Sequence, residues 1–242
     1  MTAATVQRKL REFASPRRAN MARRYFKPGL GGYGEGDKFI GVSLPNLRRV
    51  AHDYLLLSRT ELRELLHSRI HDERCLALII LTEQFARAGE HDREAIYNLY
   101  LLNTKYINNW DLVDISATKI VGEYHYALIR TNKGIVSDVF LRLARSKNIW
   151  ERRIAMLATF AFIKRKEATQ ALAIADILRH DTHHLIHKAV GWMLREVGKN
   201  CSMATLERYL KPRYKRMPRT MLRYAIERLP SRRRAQYLEG KV

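Results

Sequence analysis

Glu73-Arg74-Cys75-Leu76-Ala77-Leu78 and Glu151-Arg152-Arg153-Ile154-Ala155-Met156 line up position by position, charged residues first and an apolar helical run after them. Similar amphipathic helix starts occur near Trp110, His187 and Thr220. The steps between Arg74, Asp111, Arg152, His187 and Thr220 are 37, 41, 35 and 33 residues. From about Thr60 onward apolar residues recur every three or four positions and no period-2 run interrupts them. Gly89, Gly134, Pro212, Pro218 and Pro230 fall between the helices, as do polar links such as Asn132-Lys133-Gly134 and Ser146-Lys147-Asn148.

A repeat of this length with two helices per unit cannot bury its apolar face alone and must stack on its neighbours. The expected fold class is therefore all-α, a HEAT-like repeat helical solenoid whose stacked pairs curve around a concave basic groove. An irregular helical bundle is the competing reading of the same periodicity. Residues 1–58 differ. Residues 5–26 read as a basic helix with a break open at Pro16. Lys27-Pro28-Gly29-Leu30-Gly31-Gly32-Tyr33-Gly34-Glu35-Gly36-Asp37-Lys38 is glycine-rich. It lacks the preceding strand and the Gly-Lys-Ser/Thr ending of a phosphate-binding loop, and its spacing is not Gly-x-Gly-x-x-Gly. It reads either as a mobile loop that approaches a ligand or DNA, or as a flexible connector. The expected organisation is an N-terminal basic helix and glycine-rich loop (1–58) packed on a repeat domain (59–242), together one continuous domain.

The 242 residues carry 45 basic and 24 acidic side chains, a formal net charge of +21, spread along the chain. Arginine outnumbers lysine 31 to 14, and its planar fork suits bidentate phosphate contact. A nucleotide bias could account for that ratio but not for the excess itself, so the expected partner is a polyanion, nucleic acid above all. No apolar run is long enough to span a membrane, and the basic first 25 residues lack the core of a secretory signal. Cys75 and Cys201 cannot build a disulfide framework or a four-ligand zinc site, which makes a reducing cytoplasm the default location.

Three segments could carry chemistry. In Asn108-Asn109-Trp110-Asp111-Leu112-Val113-Asp114-Ile115, a cap at Asn109 or a neighbour would put Trp110 and Asp114 on one helical face. An aspartate between Val113 and Ile115 is either a satisfied structural carboxylate or one that is used. Asp111 reads as a charge that favours the helix dipole. In His187-Lys188-Ala189-Val190-Gly191-Trp192-Met193-Leu194-Arg195, the residues Lys188, Trp192, Arg195 and Lys199 share a face. Cations could meet phosphates there while the indole packs on a sugar or base, or the tryptophan could be buried with the cations snorkelling past it. In Asn148-Ile149-Trp150-Glu151-Arg152-Arg153, Trp150 reads as core, and Arg153 is either paired inside or aimed at a phosphate. Arg216, Arg219 and Arg223 would form a phosphate-facing stripe if their helix starts early. His183, His184 and His187 lack a further ligand at suitable spacing, so no metal is expected. Cys75 reads as core.

The three segments together resemble the AlkD family of DNA alkylation-repair glycosylases. Trp110-Asp111-Leu112-Val113-Asp114 is similar to its Trp-Asp-x-Val-Asp motif. Asn148-Ile149-Trp150-x-x-Arg153 is similar to its Asn-Ile-Trp-x-x-Arg motif. Lys188-Ala189-Val190-Gly191-Trp192-x-Leu194-Arg195-Glu196 is similar to its Lys-Ala-x-Gly-Trp-x-Leu-Arg-Glu motif. The order along the chain is the family's, and the resemblance covers roughly Glu61 to Val242, with a weaker match at Met21-Ala22-Arg23 and Phe39-Ile40-Gly41-Val42.

The resemblance implies a monofunctional glycosylase, a monomer on duplex DNA, that excises cationic N3- and N7-alkylated purines such as 3-methyladenine and 7-methylguanine. It implies neither metal nor cofactor and no deep base flipping. It makes Trp110 and Trp192 pack against the lesion's deoxyribose, Asp114 stabilise the sugar cation and position water, and Arg153 hold a phosphate beside the site. Lys188, Arg195, Lys199, Arg216, Arg219 and Arg223 are the expected DNA-binding residues. The glycine-rich stretch is an insertion relative to the best-known members, and Tyr25, Phe26 and Tyr33 all remain open as the family's N-terminal DNA-contacting aromatic. The alternative function is a non-catalytic HEAT-repeat protein that binds branched or damaged DNA.

Overall fold

The computed structural model describes residues 1–130 and 135–242; the link Asn132-Lys133-Gly134 lies outside the described residues. The described secondary structure is helical apart from one isolated bridge between Lys38 and Ile70. Two compact units divide the chain, Met1–Ile120 and Val121–Val242. The boundary expected after residue 58 falls inside the first of them.

The first unit holds α1 (Ala3–Arg11), α2 (Pro16–Phe26), α3 (Leu44–Asp53), α4 (Arg59–Leu66), α5 (His71–Arg87), α6 (Glu90–Leu102) and α7 (Trp110–Ser116). The basic N-terminal stretch does break at Pro16: Ser15 accepts from the Arg18 amide, and proline takes the first helical position, where its missing N–H costs nothing. Ser43 and Ser58 cap α3 and α4 in the same manner. Helix α5 is buried on all sides, against α3 and α4 on one flank and α7 on the other. Its first turn is charged and still buried. Asp72 accepts the Ile40 and Val42 amides at 3.0 and 2.7 Å, and Glu73 accepts from Gln7 Nε2 at 2.8 Å. These carboxylates tie the N-terminal segment to the repeats, so the residues before 59 are integral to the unit.

The second unit holds α8 (Glu123–Ile129), α9 (Asp138–Ala144), α10 (Ile149–Ala158), α11 (Phe160–Ile163), α12 (Thr169–Leu178), α13 (His184–Asn200), α14 (Met203–Leu210), α15 (Arg219–Ala225) and α16 (Ser231–Leu238). Helices α9 and α12 flank α10, α10 packs on α13, and α13 packs on α14 and α15. Within each unit the helices that begin with the repeated pattern pack on each other in succession, α5 on α7 in the first and α10 on α13 and α13 on α15 in the second. Phe140, Ile154, Phe162, Val190 and Leu194 are core residues of this unit. The fold class is all-α.

Gly191 sets a close helix approach here. A Cβ on it would lie 2.5 Å from the Met221 carbonyl oxygen and 2.5 Å from Tyr224 Cβ, both on α15. Since α13 and α15 must separate to admit a methyl group, Gly191→Ala is expected to destabilise the protein by about 2–3 kcal/mol. A lowered urea midpoint with unchanged slope is the expected result, and an unchanged midpoint contradicts it.

Candidate functional site

In the first unit, Asn109 caps α7 as the spacing predicts, its Oδ1 accepting from the Trp110 amide at 2.9 Å. Trp110 is half-buried. Its indole lies on the Phe26 ring, with centroids 5.2 Å apart and planes 27° from parallel, and meets Tyr25 edge-on at 5.4 Å. Phe26 continues the stack onto Phe39 at 5.4 Å and His71 at 5.0 Å. Such aromatic contacts fix a ring's tilt as well as its depth. One turn further along α7, on the same face, stands Asp114, also half-buried. It lines a cavity of about 410 Å³ whose apolar wall includes Ala51, Ile79 and Ile115, and whose rim carries Arg48, Arg87 and Lys119. An ionised carboxylate so placed acts in a partly dry setting, where electrostatics are stronger than in water. Its charge also reaches Tyr100: burial, with Asp114 adding to it, pushes that phenol upward, and the hydroxyl pairs with Ser116 Oγ at 3.0 Å.

The structure extends one expectation beside this face and corrects another. Asp111 stands in the first turn of α7, where its charge favours the helix dipole, and it has a partner as well. Its Oδ2 accepts from His71 Nε2 at 2.8 Å, while His71 Nδ1 reaches Asp37 Oδ2 at 3.0 Å. The glycine-rich stretch is not a loose loop or connector at its C-terminal end. Asp37 is buried, its Oδ1 takes Arg74 Nη2 at 2.5 Å, and the Asn108 and Asn109 amides approach it at 3.4 Å. Gly34 passes so close that a Cβ would collide with the Phe26 carbonyl oxygen and lie 2.9 Å from Asn109 Nδ2. Tyr33 donates its hydroxyl to the Tyr25 carbonyl at 2.8 Å. The segment is keyed into the aromatic stack.

Charges in this buried quartet balance, with Asp37 and Asp111 against His71 and Arg74. Burial alone would lower the His71 value, but the hydrogen bonds from Asp111 and Asp37 outweigh it and raise it from 6.5 to about 9. Burial alone would raise the Asp37 carboxyl, but the His71 hydrogen bond and the Arg74 charge hold it below the usual carboxylate range. A histidine raised on folding contributes stability that is complete below its unfolded value of 6.5 and is lost as pH rises through about 9. The urea midpoint is therefore expected to fall between about pH 7 and about pH 10 more steeply in the parent than in His71→Gln. Parallel pH dependences in the two proteins contradict this.

In the second unit, Asn148 caps α10 through the Trp150 amide at 2.9 Å, and Trp150 is core, at 6% exposure. Arg153 is 5% exposed and donates Nη1 to the Leu185 carbonyl at 2.9 Å, so it braces the first turn of α13. That turn is capped by His183, whose Nδ1 accepts the Leu185 amide at 3.1 Å, and His187 Nε2 lies 2.5 Å from the Asp181 carbonyl oxygen. Along α13, Lys188 and Lys199 are exposed and Trp192 is half-buried between them. Arg195 sits among carboxylates, in ion pairs with Glu227 and, at 3.5 Å, with Glu196. Arg219 and Arg223 are exposed one turn apart on α15. Arg216 is exposed too, but in the 3-10 turn Tyr214–Arg216 that precedes α15.

A family model described as DNA alkylation repair enzyme matches residues 6–229. The chain belongs to this family. A solved structure described as a predicted DNA alkylation repair enzyme from Enterococcus faecalis superposes with a TM-score of 0.70 at 18% identity, covering 90% of this chain and 97% of that one. At that identity the likeness is one of fold. Curated proteins gave no match. The membership gives the chain a role in DNA repair. No helix among the described residues is long and apolar enough to cross a membrane.

Two features of this family member escape a reading by motif. The first is the Asp37–His71–Asp111 bridge, whose members lie 34 and 40 positions apart. The second is α2, of which Ala19 is the only buried residue while Arg17, Arg18, Arg23, Arg24, Met21 and Tyr25 are exposed. Its density of arginine without any acid was the available signal. Of the three aromatics open as DNA contacts, Tyr25 is the exposed one, at 65%.

Proposed function

We propose that this protein is a monofunctional DNA glycosylase that hydrolyses the N-glycosidic bond of cationic N3- and N7-alkylated purines in duplex DNA. The observation that carries the reading is the half-buried carboxylate of Asp114 one turn from the half-buried, ring-stacked indole of Trp110. N-alkylation already makes the purine a cationic leaving group, so no acid is needed to protonate it. As the bond from C1′ to the base nitrogen breaks, its electron pair neutralises the base and positive charge develops on the sugar. Asp114 stabilises that charge and orients the water that adds to C1′, whose proton then leaves to the carboxylate or to solvent.

Trp110 packs against the lesion's deoxyribose and offers the negative face of its indole to the developing cation, and Trp192 is the indole that the second unit offers to the DNA. Arg153 holds a backbone phosphate and, through Leu185, the helix that bears Trp192. Lys188, Lys199, Arg216, Arg219 and Arg223 bind further phosphates, and Arg195 joins them only by leaving Glu227. The protein acts as a monomer on HEAT-like helix pairs, without metal or cofactor.

The test is incubation with methylated duplex and analysis of the products. Free 7-methylguanine and intact abasic strands are expected. Tight binding with every base retained points instead to a non-catalytic binder of damaged or branched DNA. The phosphate contacts have their own check. Log affinity for undamaged duplex should fall linearly with log salt, and Lys188→Ala, Arg219→Ala and Arg223→Ala should each flatten the slope by about 0.9. A slope unmoved by all three takes them out of the interface.

A further inference from the structure

The glycine-rich segment and the first turn of α7 meet at one side chain. His71 is 4% exposed and bonds a carboxylate through each ring nitrogen, Asp37 at 3.0 Å and Asp111 at 2.8 Å. An ionised carboxylate only accepts, so both nitrogens must carry hydrogen and the ring is an imidazolium. Asp111 directly follows Trp110, and the Phe26 ring that carries the indole lies against the His71 ring itself. One side chain therefore reaches Trp110 by two routes, through the backbone of α7 and through the stack.

We propose that protonated His71 is the positioning residue for Trp110, holding the indole in the orientation the reaction uses. Its consequence for catalysis rests on the glycosylase reading; the placement of the indole does not.

The groups facing His71 are few. Asp37 comes from the glycine-rich segment and Asp111 from α7. Arg74, on its own helix, opposes its charge. The Phe26 and Phe39 rings complete the surroundings. A neutral imidazole has a single N–H and can serve a single carboxylate. Loss of the proton thus leaves one aspartate facing a lone pair, and the bridge opens on that side. The retained proton up to about pH 9 agrees with this arrangement.

The experiment uses the full chain with Trp150→Phe and Trp192→Phe, so that Trp110 is the sole tryptophan, and measures acrylamide quenching of its selectively excited fluorescence from about pH 7 to about pH 10 beside helix content by circular dichroism. Quenching is expected to rise through a midpoint near 9 while helix content holds. His71→Gln should show high quenching at every pH. Adding Asp111→Asn to it lets the glutamine donate to Asp37 and accept from the asparagine, which should restore low quenching without pH dependence. A flat profile in the His71-containing protein overturns the proposal, whether or not the glutamine variant folds.

Excision, read on the chain with all three tryptophans, supplies the second arm. His71→Gln should lower kcat by about tenfold or more, with affinity for undamaged duplex within about twofold. A parent that excises nothing but shows the quenching midpoint retires the glycosylase reading and keeps the positioning role. A parent that excises without the midpoint does the reverse.

Discussion

Asp114→Asn is expected to lower excision of alkylated purines on the order of a hundredfold or more, while affinity for the same duplex stays within about twofold. The change removes one charge and almost no volume. Because the side chain is half-buried at the edge of a cavity rather than in the core, the fold should survive it. What is lost is negative potential where the sugar cation forms, and one such preorganised group is worth about 3–4 kcal/mol of transition-state stabilisation. Binding of undamaged DNA depends on phosphate contacts that the substitution does not touch. Equal single-turnover rates for variant and parent would remove Asp114 from the mechanism.

The second large effect is on stability. Asp37→Ala should destabilise the protein by about 3–5 kcal/mol, because it leaves His71 and Arg74 buried with Asp111 as their only carboxylate. The glycine-rich segment loses its anchor at the same time, so Phe26 and with it Trp110 should loosen. Urea unfolding at neutral pH reads the first effect, and the near-ultraviolet circular dichroism of the aromatic stack reads the second. A midpoint close to the parent's contradicts the account of the quartet.

Local features of this chain were legible wherever a short-range rule decides them. The helix break at Pro16, the cap at Asn109, and the core positions of Trp150 and Cys75 follow from spacing and side-chain chemistry within a few residues. So does the succession of packed helices within each unit, which the steps of 37, 35 and 33 residues predict. The half-buried placement of Trp110, Asp114 and Trp192 also agrees with what their motifs imply.

The misread residues are those whose state depends on a partner distant in sequence. The burial of His71, Asp72, Glu73 and Arg74 has no local signal, because it is the N-terminal segment folding back that covers them. Asp111 does sit in the first turn of its own helix, but its second role, toward His71, is out of reach of a local rule because His71 lies 40 residues away. Arg195 looks free on α13 until Glu227 is brought beside it. Charge pattern alone cannot separate a phosphate-seeking arginine from a structural one; burial and partner do.

The most direct measurement of the central claim is the amount of free alkylated purine released from a methylated duplex under single-turnover conditions, for the parent and Asp114→Asn at equal occupancy of the DNA. The account predicts that the parent releases 3-methyladenine and 7-methylguanine, leaving abasic sites in uncut strands, and that the variant releases little of either. Methylated bases that stay in the duplex while the parent protein is bound to it would contradict the account.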